Sequence, residues 1–269
     1  MLTIPALGLG TWGYGGKFER DPSTTNQSIV LIREALKIGY RLIDMAEIYG
    51  QGLTEEIVGQ AIQGFPREQL YLVSKVWKEH LKYEELIVAV ERSLRRLQIN
   101  YLDLYLIHWP METVPFAETM PAMEKLVKEG KVRGIGVSNF SVAQLEEAQR
   151  CLASIKLVAN QIEYNLFSRA AEQEIIPYCR ARGITVISYR PLAKGKIPMN
   201  ESPLLREIAN KYNKTPAQVA LNWLIAEKTV PIPKAGSVAH LQENFGALGW
   251  QLATEDTELL RNSFPLPDR

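Results

Sequence analysis

The 269-residue sequence predicts an α/β fold, a TIM-type (β/α)8 barrel, and three observations carry that prediction. Short apolar runs alternate with longer amphipathic segments from end to end, the pattern of parallel strands joined by helices. Eight units of about 34 residues fill a length that suits this architecture, typically ~250 residues. Polar side chains recur at the C-terminal ends of the runs, where barrel enzymes place their active sites. No Pro/Gly/Ser-rich linker, charge block or close repeat divides the chain, so residues 1–269 are read as one domain. A doubly wound open sheet uses the same alternation and is the alternative.

The predicted strands are LGLG at 7–10, RLID at 41–44, LYLVSK at 70–75 and LDLYLIH at 102–108. They continue with VRGIGVS at 132–138, VANQIE at 158–163, TVISY at 185–189 and TVPIP at 229–233. Most are apolar nearly throughout, which suits strands buried on both faces of a parallel sheet. Between them, Leu86, Val90, Leu94 and Leu97, and again Leu241, Phe245 and Leu248, repeat at helical spacing. Thr24 with Gln27 and Ser141 with Gln144 fit a capping box, in which each side chain reaches a backbone N–H left open by the first turn. Ser202-Pro203 and Thr215-Pro216 place a cap before proline at the first helical position. Gly39 and Gly183 stop helices just ahead of strands. A last helix runs from Thr254 to about Ser263, followed by PLPDR.

Composition narrows the function. Hydrophobic residues at 46% and charged residues at 23% are ordinary for a globular protein. A net charge of +1 gives no bulk field for nucleic acid or an anionic membrane, so neither is expected as a partner. Two cysteines, Cys151 and Cys179, make no disulfide framework, and Cys179, four residues after Ile175, reads as a small apolar packing residue. Three scattered histidines, His80, His108 and His240, make no metal site, and no metal is expected. No signal peptide or apolar run of ~18 residues is read, so a cytoplasmic protein is expected.

Gly8, Gly10 and Gly13 match GxGxxG, the dinucleotide fingerprint. That fingerprint needs a helix opening at the third glycine and an acid ~20 residues on. Here GYGGKFERDPS follows and the acid Asp44 comes too late. A glycine-rich barrel loop that lets a ligand approach the backbone fits better.

The strand-end residues are Asp44, Lys75, His108, Ser138 with Asn139, Gln161 with Glu163, Tyr189 and Lys234, and Tyr49 lies just beyond Asp44. Each has a plainer reading: Asp44 as a turn cap, Lys75 as a surface charge, Tyr49 as core. Their alignment on strand ends favours one shared mouth. A phenol of pKa ~10 is a weak acid, and a buried ammonium beside it is expected to lower that pKa. The lysine needs a carboxylate to stay charged away from water, and Asp44 supplies one. A neutral histidine donates to a carbonyl oxygen and stabilises developing negative charge. This set suits protonation of an alkoxide as hydride reaches a carbonyl carbon, and the hydride has to come from a cofactor.

The sequence also resembles the aldo-keto reductase family over essentially the whole chain. The matching stretches are GLGTW at 8–12, DMAEIYG at 44–50, VSKVW around Lys75, LIHWP at 106–110 and GVSNF at 136–140. NQIEYN at 160–165, SYRPL at 188–192, TPAQVALNW at 215–223 and IPKAGSVAHLQEN at 232–244 complete the set. The resemblance implies a (β/α)8 barrel that binds NADPH without a Rossmann fold, and a tetrad of Asp44, Tyr49, Lys75 and His108 with Tyr49 as proton donor. It implies that Ser138, Asn139 and Gln161 hold the nicotinamide carboxamide and that Tyr189 stacks on the ring. Gly10, Thr11 and Trp12 would border the cofactor, with Arg190, Leu192 and Lys194 along the pyrophosphate. Lys234 and the helix capped by Ser237 would take the 2′-phosphate, with Glu243 and Asn244 near adenine. Trp12, Tyr49, Trp77, His108 and Trp109 would line the substrate pocket.

Departures from the family pattern carry expectations of their own. Ala235 stands where a hydroxyl is common, and His240 where arginine is common. A neutral histidine grips phosphate less well than a guanidinium, so a weakened NADPH preference with NADH as a second cofactor is expected. Arg190, where serine is common, compensates if it reaches the phosphates. The short stretch after residue 250 implies an open, permissive pocket. The expected function is reduction of an aldehyde or ketone, the partner a small carbonyl compound, and the assembly a monomer or weak homo-oligomer. Two alternatives are a nicotinamide-binding regulatory subunit and a barrel using Lys75 as a Schiff-base lysine, which leaves Asn139, Gln161 and Tyr189 without work.

Overall fold

A computed structural model describes residues 3–197 and 202–264. Eight parallel strands follow one another around a sheet in chain order, each paired with the next. They are β1 (Gly8–Gly10), β2 (Leu42–Asp44), β3 (Tyr71–Val76), β4 (Leu104–Ile107), β5 (Ile135–Ser138), β6 (Leu157–Glu163), β7 (Thr185–Tyr189) and β8 (Val230–Pro231). All eight predicted runs are strands, and the sequential order excludes the doubly wound alternative, whose strand order reverses at a switch point.

The intervening helices are α1 (Thr25–Ile38), α2 (Leu53–Ala61), α3 (Tyr83–Leu97), α4 (Phe116–Lys128), α5 (Val142–Arg150) and α6 (Ile175–Ala181). After β7 come two helices rather than one, α7 (Pro203–Lys211) and α8 (Pro216–Ala226). After β8 come α9 (Val238–Phe245) and α10 (Thr254–Ser263). No helix opens after Gly13; α1 begins at Thr25, so the GxGxxG stretch is a loop.

Local chemistry sets most helix ends as expected. Ser141 with Gln144 and Thr215 with Gln218 form complete capping boxes, and Ser202 Oγ accepts from Leu205 N. Gly39 and Gly183 turn the chain at φ 127° and 68°, a region costly for residues with a Cβ. Two expectations change. Thr24 caps nothing with its side chain; its hydroxyl instead accepts from Gly15 N at 3.1 Å, pinning the loop after β1. Leu248 falls beyond the end of α9, so the apolar spacing overshoots the helix by one turn.

Alternation along the strands separates two cores. Leu42, Val73, Leu104, Leu106, Ala159, Ile187 and Ile232 fill the barrel interior. Ile43, Leu72, Tyr105, Ile107, Val137 and Val186 face outward and pack under the helices, with Cys179 of α6 fully buried among them.

The seam between β8 and β1 is closed by Gly10, whose N–H donates to Pro233 O at 3.1 Å. A Cβ at Gly10 would sit 2.6 Å from Ile232 O, so this approach admits only glycine. Gly10→Ala is therefore expected to lower stability by about 1–3 kcal/mol in urea unfolding through overpacking. Gly236→Ala, in open space, serves as the control; equal stability of the two variants contradicts this account of the seam.

Candidate active site

The mouth of the barrel follows from strand alternation. The residue two beyond an inner-core side chain points inward again, one layer higher. Leu42 leads to Asp44, Val73 to Lys75, Leu106 to His108, Ala159 to Gln161 and Ile187 to Tyr189. Apolar side chains fill the lower layers, and polar ones crown them.

Lys75 is fully buried. Its ammonium donates to Asp44 Oδ2 and to Met45 O, each at 2.8 Å, and reaches the Tyr49 hydroxyl at 3.4 Å. Asp44 spends its other oxygen on Gln161 Nε2, at 2.7 Å. Tyr49 opens a short helical turn just after β2, where the residue is buried, 8% exposed. The His108 ring stands edge-on to Tyr49, with centroids 5.7 Å apart. Thus the four residues of the expected tetrad are brought together, from β2, the loop after it, β3 and the end of β4.

Charge states differ from expectation in one respect. Burial pushes the Tyr49 phenol well above its ordinary range, the Asp44 charge adds to that, and Arg190 opposes it. The expected lowering by Lys75 is not what sets the direction; burial of the phenolate and the Asp44 charge do. Burial also pulls Lys75 below its usual value against the opposing pull of Asp44. His108 is held well below 6.5 by burial and then by the charge of Lys75, so it is neutral, as expected. Its Nδ1 is buried with no partner among the described residues.

The residues expected around a nicotinamide cluster beside the tetrad. Ser138 Oγ donates to Gln161 O at 2.9 Å, and Asn139 Nδ2 donates to Ser138 Oγ and to His108 O. The Tyr189 hydroxyl donates to Asn139 Oδ1 at 2.9 Å. No hydrogen bond reaches Gln161 Oε1 among the described residues. An acceptor there and a rotatable hydroxyl at Ser138 match the N–H and C=O of a carboxamide, so the donor set fits that group. Thr11 Oγ1 donates to Asp44 O at 2.7 Å and fixes the end of β1 beside it.

The residues expected at the cofactor's phosphates lie around the rim. Lys234 leans over the loop after β1, its ammonium 5.5 Å from the Tyr14 ring. Burial and the nearby Lys17 charge lower its pKa. Ser237 caps α9 by accepting from His240 N at 3.2 Å, and His240 itself is exposed. Glu243 and Asn244 follow along α9. Leu192 and Lys194 lie in the turn after β7, where Lys194 takes φ 59°. The Arg190 guanidinium, on the solvent side of the rim, pairs with Glu163 at 2.8 Å.

Trp12 meets Tyr49 edge-on at 4.7 Å, Trp77 meets His108 at 5.2 Å, and Trp109 is 42% exposed beside them. Two further residues escape the sequence reading. Phe18 contacts both Trp12 and Trp77. Glu47, between Asp44 and Tyr49 in the chain and buried, accepts from Trp77 N at 2.6 Å and lies 3.0 Å from His80 Nδ1. The acid inside DMAEIYG was a signal for Glu47. Phe18, a lone aromatic in a polar loop, carried none.

The eight-stranded barrel with this polar crown is the frame of a (β/α)8 enzyme with a single mouth. The profile of the Aldo/keto reductase family matches residues 6–263, and the chain belongs to that family. The methylglyoxal reductase YeaE of Escherichia coli is 38% identical, over 99% of this chain and 93% of its own. The glyoxal reductase of Bacillus subtilis is 43% identical, over 96% and 88%. Among solved structures, a thermostable aldo-keto reductase with the inhibitor epalrestat superposes with a TM-score of 0.93 at 43% identity, covering 97% of this chain and 96% of its own. An aldo/keto reductase from Klebsiella pneumoniae in complex with NADP and acetate gives 0.89 at 39% identity, over 99% and 93%. The protein is therefore an oxidoreductase, and the regulatory-subunit alternative finds no support in these relatives. Among the described residues no helix is long and apolar enough to cross a membrane, and no group of three or more His, Cys, Asp or Glu is placed to hold a metal.

The Asp44–Lys75 pair makes a test of the site's energetics. Asp44→Ala leaves a buried ammonium without its carboxylate and is expected to cost about 3–5 kcal/mol in denaturant unfolding. Asp44→Ala combined with Lys75→Met is expected to recover most of that loss. A double variant as unstable as the single one contradicts the pairing.

Proposed function

We propose that this protein reduces small reactive aldehydes of the methylglyoxal and glyoxal class to alcohols, with NADPH as reductant and Tyr49 as proton donor. The observation that carries the reading is the buried Lys75 ammonium, held by Asp44 and within 3.4 Å of the Tyr49 hydroxyl beside His108. The names of the relatives support the substrate class, and the Klebsiella complex supports the cofactor. One domain formed by the whole chain, a cytoplasmic location and a monomer or weak homo-oligomer belong to the same proposal.

A bound reduced nicotinamide would supply the hydride, and Ser138, Asn139 and Gln161 are the residues that would hold its carboxamide. Tyr189 would pack on its ring. Gly10, Thr11, Trp12, Arg190, Leu192 and Lys194 would border the dinucleotide, and Lys234, Ser237, His240, Glu243 and Asn244 would receive its adenosine end.

The protein's own work is to hold the carbonyl and move one proton. His108 presents Nε2 to the substrate oxygen. With no acceptor at Nδ1, the imidazole proton is better placed on Nε2, because a buried orphan N–H is rarer and costlier than a bare acceptor. Tyr49 donates its proton to the same oxygen as negative charge builds there. Its raised pKa keeps the phenol protonated until that charge develops. Lys75 then stabilises the phenolate, and Asp44 keeps the ammonium in place. Trp12, Trp77 and Trp109 exclude water from the reacting carbon.

Tyr49→Phe is expected to lower kcat for methylglyoxal by about 10²–10⁴-fold, the usual worth of a general acid, while NADPH still binds. In the parent enzyme, kcat/KM is expected to show no break near pH 6.5: His108 titrates well below that value and Tyr49 well above its ordinary 10. Full activity of the Phe variant, or a limb at pH 6.5 assigned to His108, sinks the mechanism.

Cofactor choice rests on the adenosine end. With His240 in place of a guanidinium, the ratio of kcat/KM for NADPH over NADH is expected to be modest. His240→Arg is expected to raise that ratio about tenfold by adding a charged hydrogen bond. An unchanged ratio places the 2′-phosphate elsewhere.

A further inference from the structure

Phe18 is the most exposed large hydrophobic side chain among the described residues, at 56%. It lies over the mouth. Its ring meets Trp12 edge-on at 5.0 Å and Trp77 at 6.4 Å. Trp12 touches Tyr49 at 4.7 Å, Tyr49 touches His108 at 5.7 Å, and His108 touches Trp77 at 5.2 Å. Five rings therefore close a circuit, with the two that face the reacting oxygen on one side and Phe18 on the solvent side, joining Trp12 to Trp77.

The loop holds Phe18 in that position from both directions. Just before it, Lys17 O accepts from Gly50 N at 2.7 Å, next to Tyr49. Just after it, Arg20 grips Glu56 of α2 with bonds of 3.0 and 2.5 Å. Within the same loop, Asp21 N donates to Gly15 O at 2.8 Å. An exposed phenyl ring leaves apolar area in water, and here the fold fixes it there with three anchors. Burial against the protein's own core is not what the loop achieves. A ligand entering between Trp12, Trp77 and Phe18 covers the exposed face and gains edge or offset contacts, which aromatic rings favour.

We infer that Phe18 is a specificity-determining residue: it is the outer wall that receives the substituent on the substrate carbonyl, and it favours a flat aryl group over a methyl group. This rests on the carbonyl-reductase reading above. The occupant is the substrate's own side group, because the circuit of rings is continuous with Tyr49 and His108.

Methylglyoxal and phenylglyoxal carry the same reacting dicarbonyl and differ only in methyl against phenyl. Phe18→Ala is expected to lower the ratio of kcat/KM for phenylglyoxal over methylglyoxal by about tenfold. Phe18→Leu, apolar but not flat, is expected to fall between, and Phe18→Tyr to restore the ratio. A ratio that Phe18→Ala leaves unchanged overturns the proposal. A second pair of ligands needs no turnover: phenylacetate and acetate binding to the NADP⁺ complex, followed by tryptophan fluorescence. Phe18→Ala is expected to lower the phenylacetate-over-acetate affinity ratio by about tenfold, and a constant ratio counts against Phe18. If the parent protein reduces neither aldehyde, the functional reading fails on its own, and the carboxylate pair still decides the role of Phe18.

Discussion

The arrangement of the mouth depends on one buried ammonium. Lys75 stands inside the barrel with no access to water, and every polar group around it is placed by its need for partners. Asp44 on β2 answers its charge, Met45 O takes a second N–H, and the Tyr49 hydroxyl takes the third direction. Because Asp44 has a second oxygen to satisfy, it draws Gln161 across from β6. The proposed proton-donating side of the site and the proposed amide-binding side are thus joined through one carboxylate. A buried charge that is only half satisfied is worse than none, so this junction is also where the barrel tolerates least change.

The strand alternation that places Lys75 inward makes the site legible in the primary structure. Along β2, β3, β4, β6 and β7 an apolar residue fills the interior and the residue two positions on is polar, as in Leu42 and Asp44 or Leu106 and His108. Strand periodicity and the barrel's polarity are both written in the sequence, so the fold, the eight strands and the clustering of Asp44, Tyr49, Lys75 and His108 follow from them. Helix caps were legible for the same local reason, as at Ser141 and Thr215, where partner and cap are three residues apart.

What was not legible involves competition between distant groups. Thr24 has the right spacing for a capping box, yet its hydroxyl goes to Gly15 N, because the loop after β1 folds back on the start of α1. The pairing of Arg190 with Glu163 is invisible along the chain, since the two meet only when β6 lies beside β7. The phenol of Tyr49 was expected to be lowered by its lysine, and enclosure by the barrel wall reverses the sign. Each case turns on a solvent exposure or a partner that only the closed barrel defines.

The enclosure of Tyr49 has a further consequence for how the mouth is divided. A phenol that holds its proton firmly is a suitable donor only where the accepting oxygen becomes strongly basic, as an alkoxide does and a resting carbonyl does not. Selectivity at the reacting oxygen is then set by chemistry and not by shape, since any aldehyde oxygen becomes basic as hydride arrives. Shape has to act elsewhere, on the group attached to the carbonyl carbon. In this chain the surfaces available for that are the indoles of Trp12, Trp77 and Trp109 and the phenyl ring of Phe18, and they belong to loops rather than to strands. On the proposed mechanism the barrel therefore fixes the reaction, while the loops around it choose the reactant.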